Sequence, residues 1–98
     1  MLPVSTSYLI NSIKSLSYSY DPDGDCWRAE HFRGNKMRSF GTRIKVKITK
    51  KGKVKARVRH LEAPPQTGRH DAFELVDSTK IKFEDEGFKN ELKSLKTD

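Results

Sequence analysis

From Arg43 to Arg59 the chain alternates cationic and apolar residues almost without exception. The first arm reads Arg43-Ile44-Lys45-Val46-Lys47-Ile48 and the second Lys53-Val54-Lys55-Ala56-Arg57-Val58-Arg59. A period of two belongs to extended strands, whose successive side chains point to opposite faces. Between the arms, Lys50-Lys51-Gly52 suits a type I turn followed by a glycine in the left-handed region. That turn predicts the pairs Thr49–Lys53, Ile48–Val54, Val46–Ala56 and Ile44–Val58. The register is strongly specified, because a slip of one residue would bury the cations.

One face of this hairpin is apolar and reads as core. The other carries Arg43, Lys45, Lys47, Lys53, Lys55, Arg57 and Arg59, with Lys50 and Lys51 at the tip. Like charges opposite one another destabilise a sheet. A hairpin shaped only by folding would set acids or threonines among them. Same-face residues recur about every 6.6–6.8 Å along a strand. Two such rows of cations form a track for phosphates, whose charges dominate nucleic-acid affinity. The plainer reading is a solvated hairpin whose lysines discourage edge-to-edge aggregation.

The distribution of charge favours the polyanion. Residues 28–59 hold thirteen cations and a single anion, Glu30, although the net charge of all 98 residues is only +7. A purely solubilising surface mixes signs, whereas a segment that excludes acids suits an anionic partner. The length allows one small basic domain spanning residues 1–98, with a modest core. No apolar run approaches the ~18 residues of a membrane span, so no membrane role is expected. The lone Cys26 excludes an internal disulfide framework. It suits an intracellular setting, cytoplasmic or in a host cytoplasm, as does the lack of a secretory or transit-peptide pattern in the first 20 residues.

Elsewhere the expected elements are short. Leu9, Ile13 and Leu16 recur at helical spacing after Ser5 and Ser7, either of which could cap a helix. From Ser15 to Tyr20 the period becomes two. Asp21-Pro22-Asp23-Gly24-Asp25 reads as a turn. Cys26–Arg33 and Lys36–Phe40 read as a hairpin closed at Gly34-Asn35, with Gly41 separating the latter from the strand Thr42–Thr49. Residues 62–71, with Ala63-Pro64-Pro65 and Gly68, read as an exposed loop. Prolyl bonds at Pro64 and Pro65 would populate both isomers there, making a prolyl isomerase a conceivable partner. Ala72–Val76 suits a short strand or a turn of helix, and Lys80–Glu84 a strand. Phe88, Leu92 and Leu95 place a short helix and tail in residues 85–98. The expected fold class is α+β: a small antiparallel sheet of two hairpins and four to six strands, with a short helix near each terminus.

Few residues suggest chemistry. The Asp21–Asp25 turn lacks the glycine and glutamate positions of a calcium loop. Cys26, His31, His60 and His70 fit no zinc spacing, and no metal or cofactor is expected. Cys26 follows an acidic turn and reads as structural. Trp27 and Phe40 are the aromatic residues expected to be exposed for base stacking, on one face with His31, Arg33, Lys36 and Arg38. The expected function is a non-enzymatic nucleic-acid-binding accessory protein, with DNA and RNA both open. One alternative is a modulator, an inhibitor or adaptor of phage or mobile-element type, docking on the acidic surface of a nucleic-acid-processing protein. Asp21–Asp25 and Glu84–Glu86 favour it, since they would repel a long nucleic acid. A second alternative is a small metal-free ribonuclease.

Overall fold

The computed structural model describes residues 4–34, 39–63 and 73–96. In chain order these form α1 (Val4–Lys14), β1 (Ser19–Asp21), β2 (Cys26–Gly34), β3 (Ser39–Ile48), β4 (Val54–Ala63), β5 (Glu74–Phe83) and α2 (Glu86–Leu95). The five strands make one antiparallel sheet in sequential order, the α+β architecture expected. Each strand pairs with its chain neighbour, so no crossover connection is needed.

The β3–β4 hairpin has the register that its alternation dictates: Ile48 opposite Val54, Val46 opposite Ala56, Ile44 opposite Val58. Its turn closes through Thr49 N–H to the Lys53 carbonyl at 2.8 Å and Gly52 N–H to the Thr49 carbonyl at 2.9 Å. Gly52 has φ +83°, a conformation that costs a side-chain-bearing residue strain. The tip is also held from outside. Lys89 of α2 is 6% exposed, and its ammonium donates to the Gly52 carbonyl while pairing with Glu86 at 2.6 Å. Lys89→Met is expected to cost about 1–3 kcal/mol and to speed amide exchange at the tip. Unchanged exchange there would show that α2 does not restrain it.

Both helices lie on the apolar face of the sheet. Ile13 of α1 and Phe88 and Leu92 of α2 join Trp27, Ile44, Val46, Val54, Ala56, Val58 and Phe83 in one core. The stripes at i, i+4, i+7 thus face inward as expected, although Leu95 remains 39% exposed. Asp85 caps α2 by accepting from Phe88 N–H at 2.9 Å and meets Lys14 of α1 at 2.6 Å. The Lys14 ammonium first, and the Phe88 N–H second, hold the Asp85 carboxyl below its ordinary value of 3.8. A carboxyl with a depressed folded pKa adds stability above the ordinary value and loses it as pH falls through the lower one. Between about pH 7 and about pH 3, Tm is therefore expected to fall more steeply for the wild type than for Asp85→Asn. Parallel curves would contradict this coupling.

Three boundaries differ from the sequence expectation. Gly41 does not end a strand: β3 runs through it, and β2 pairs Arg33 with Phe40 and Gly34 with Ser39. The glycine serves packing instead. A Cβ at position 41 would stand 2.4 Å from Cδ1 of Phe32, whose ring occupies that space. With Arg33 opposite Phe40, the expected two-residue Gly34-Asn35 turn, which would set Arg33 opposite Lys36, is not formed; residues 35–38 lie outside the described residues. The segments expected around Ala72–Val76 and Lys80–Glu84 form a single strand, β5, whose register against β4 shifts between His60 and Leu61. Asp77-Ser78-Thr79, between those two segments, continues the strand, since an exposed edge strand tolerates polar residues on both faces. Finally, the loop expected over residues 62–71 begins later, since Glu62 and Ala63 end β4 and Ala63 is 2% exposed. Pro64 and Pro65 lie outside the described residues.

Candidate functional site

The pairing of strands turns isolated alternations into a two-dimensional array. On the face away from the helices, Arg28, Lys45, Arg57 and Lys80 stand opposite one another across β2, β3, β4 and β5. On one side of this row lies Lys47–Lys55–Lys82, toward the β3–β4 tip. On the other lies Glu30–Arg43–Arg59–Ser78. Neighbouring strands are about 4.8 Å apart, and successive rows about 6.6–6.8 Å. No described helix covers this face.

The array keeps most of its charge. Arg43 Nε pairs with Glu30 at 3.2 Å, and Arg28 Nε with Asp21 at 3.1 Å. Lys45, Lys55, Arg57, Arg59, Lys80 and Lys82 form no ion pair among the described residues. A shallow depression of about 290 Å³ opens between Arg28, Glu30, Arg43, Lys45, Arg57 and Arg59. Cross-strand neighbours of like sign destabilise a sheet. Here such neighbours are Arg43 and Arg59, Lys45 and Arg57, and Lys47 and Lys55. An anion lodged between them would relieve that repulsion.

Of the expected cations, Arg43, Lys45, Lys47, Lys55, Arg57 and Arg59 all belong to this face. Lys50 and Lys51 sit at the exposed hairpin tip beside α2, and Lys53 at the start of the return strand. Arg28, Lys80 and Lys82 are additions. Each alternates with core residues, Trp27 and Ala29 or Ile81 and Phe83, so the period of two was visible. What the sequence did not contain was the identity of their neighbours.

The aromatic expectation is corrected for Trp27, whereas Phe40 is exposed and shares its face with Trp27, His31 and Arg33 as expected. Trp27 is 2% exposed and lies in the core, with its ring 5.3 Å from that of Tyr20. Its apolar bulk faces the helices, so it offers no platform to a base. Phe40 is 40% exposed, but it lies on the helix side with His31 and Arg33. There it borders a groove of about 420 Å³ under α1, lined also by Tyr8, Leu9, Leu16 and His60. Lys36 and Arg38 lie outside the described residues. The aromatic groups on the cationic face are instead Phe32 and Phe73, with ring centroids 5.2 Å apart, and the Arg43 guanidinium stands 5.7 Å from the Phe32 centroid.

Acidic groups near the array are largely engaged within the fold. Asp21 accepts from Arg28, and this hydrogen bond is the main reason its carboxyl is held low. Asp25 accepts from Tyr20 Oη at 2.7 Å and pairs with Lys96 at 3.2 Å, which likewise keep it ionised. Lys89 does the same for Glu86. The Cys26 thiol is fully buried. Among the described residues no three potential metal ligands come together, and no helix is long and apolar enough to cross a membrane. No protein-family model, curated protein or solved structure matches this chain.

Proposed function

We propose that the chain is a non-enzymatic nucleic-acid-binding accessory protein that grips phosphates with the bare face of its sheet. One observation carries the reading: a four-strand array of cations, most without an acidic partner, with no described element packed over it. Phosphate contacts of this kind hold a nucleic acid without reading its sequence.

Two features weigh against the rival readings. Docking as an inhibitor or adaptor on an acidic protein surface drew support from the acids at Asp21–Asp25 and Glu84–Glu86. Asp21, Asp25, Asp85 and Glu86 each meet a cation of the chain itself, which lowers both their repulsion toward nucleic acid and their value to a partner. A ribonuclease needs a general base beside the bound phosphate. His31 and His60 stand on the helix side, and the acids nearest the array, Asp21 and Glu30, are tied to arginines.

Fluorescence anisotropy with labelled single- and double-stranded oligonucleotides tests the proposal. With about four to six phosphates engaged, log K is expected to fall against log salt with a slope of roughly −3 to −5. Absence of binding to every oligonucleotide at ~50 mM salt, where such contacts are strong, would overturn it.

A further inference from the structure

Resting on the nucleic-acid reading, we infer that the array receives the end of a strand, with a terminal phosphomonoester seated in the depression between Arg28, Arg43, Lys45, Arg57 and Arg59. The array is graded along the strands in the kind of cation it presents. The row nearest the hairpin tip, Lys47–Lys55–Lys82, holds lysine alone. The next, Arg28–Lys45–Arg57–Lys80, mixes the two, and in Glu30–Arg43–Arg59–Ser78 every cation is an arginine. One step further, Phe32–Gly41–Leu61–Leu75 has no charged member. Among the described residues, a strand whose phosphates follow the cations of β3 and β4 therefore runs out of partners at Arg43 and Arg59.

The depression lies at that end of the track. Lys45 and Arg57 within it are half-buried and form no ion pair among the described residues. Cations drawn partly out of water without a counter-charge cost stability, and a bound anion would offset that cost. Two of the arginines are held in place by the fold. Asp21 meets Nε of Arg28 at 3.1 Å, and Glu30 meets Nε of Arg43 at 3.2 Å. Glu30 also borders the depression, where Arg43 answers its charge.

The change from lysine to arginine selects the ligand. Arginine's planar fork matches pairs of phosphate oxygens, whereas lysine acts as a point charge. An internal phosphodiester offers a single charge and two non-bridging oxygens. A phosphomonoester carries about −1.5 to −2 and three acceptor oxygens at neutral pH. Arginines converging from β2, β3 and β4 are answered more fully by the monoester. The lysines toward the tip suit the diesters that follow it, where exact geometry matters less.

The test measures affinity of the intact protein at ~50 mM salt, by competition against a labelled strand. The competitors are oligothymidylates of about ten nucleotides ending in a 5′-phosphate, a 3′-phosphate or hydroxyls alone. A hydroxyl-ended strand about two nucleotides longer supplies the same added charge as diesters. One of the phosphate-ended strands is expected to bind roughly tenfold tighter than this longer control, the worth of one further charge-assisted hydrogen bond. Which end does so fixes the direction of the strand on the sheet. Arg57→Lys with Arg59→Lys keeps the net charge and is expected to cost that strand several-fold more affinity than it costs the control. No advantage of either phosphate-ended strand over the control, measured on the unaltered protein, would overturn the inference while the phosphate-track reading stands. Failure to bind any strand would overturn both.

Discussion

Changing Lys45, Lys47, Lys55 and Arg57 together to glutamine is expected to leave the fold intact and to lower nucleic-acid affinity roughly a thousandfold at ~50 mM salt. The magnitude follows from counterion release. Each phosphate contact contributes about 0.7–0.9 to the slope of log K against log salt, so four lost contacts remove most of the slope along with the affinity. The loss should be similar for every sequence, because contacts to phosphates carry no base information. The fold survives because the four side chains point away from Ile44, Val46, Val54, Ala56 and Val58, which pack beneath the helices. Removing four like charges from a crowded face should even raise Tm slightly. Salt titration of the variant beside the wild type, with circular dichroism of both, gives the answer. An unchanged slope in a folded variant would show that the phosphates lie elsewhere.

The largest effect on stability is expected at Phe88. This residue is 3% exposed, with its ring 5.7 Å from Tyr18 in a T-shaped arrangement and 5.9 Å from Phe83 in a stacked one. It thereby joins α2 to the segment entering β1 and to the end of β5. Tyr18 is anchored in turn, donating from Oη to the Ile13 carbonyl at 2.6 Å at the end of α1. Phe88→Ala is expected to cost about 3–5 kcal/mol. Small domains have about 5–15 kcal/mol in total, and a chain of this size loses about 4–8 °C of Tm per kcal/mol. A fall in Tm of roughly 15–30 °C is therefore expected in thermal denaturation. A fall of only a few degrees would mean that α2 contributes little to the core. Where the variant still folds in the cold, the cationic face should bind as before, since Phe88 lies on the far side of the sheet.

The two predictions rest on information of different kinds. The β3–β4 hairpin was legible residue by residue, because its determinants are local. Alternation sets the faces, Gly52 sets the turn, and burial of lysine penalises every other register. The same locality made the inward stripes of the two helices readable from Ile13, Phe88 and Leu92, and it exposed the charge contrast between residues 28–59 and the rest. Fold class, core face and the central cations were therefore already present in the sequence.

Tertiary structure decided what depends on neighbours distant along the chain. Gly41 looked like a break because its partner, the Phe32 ring, stands on another strand. Trp27 fell into the core, and Phe40 to the helix side, because the pleat of β2 and β3 aims them toward the helices rather than the cations. Lys80, Lys82 and Arg28 joined the array only once sheet order set β5 beside β4 and β2 beside β3. Asp21, Asp25 and Asp85 look like free acids in the sequence and are salt-bridged in the fold. Period and turn chemistry act over a few residues and can be read directly. Ring packing, ion pairing and strand adjacency arise only when the chain has closed on itself.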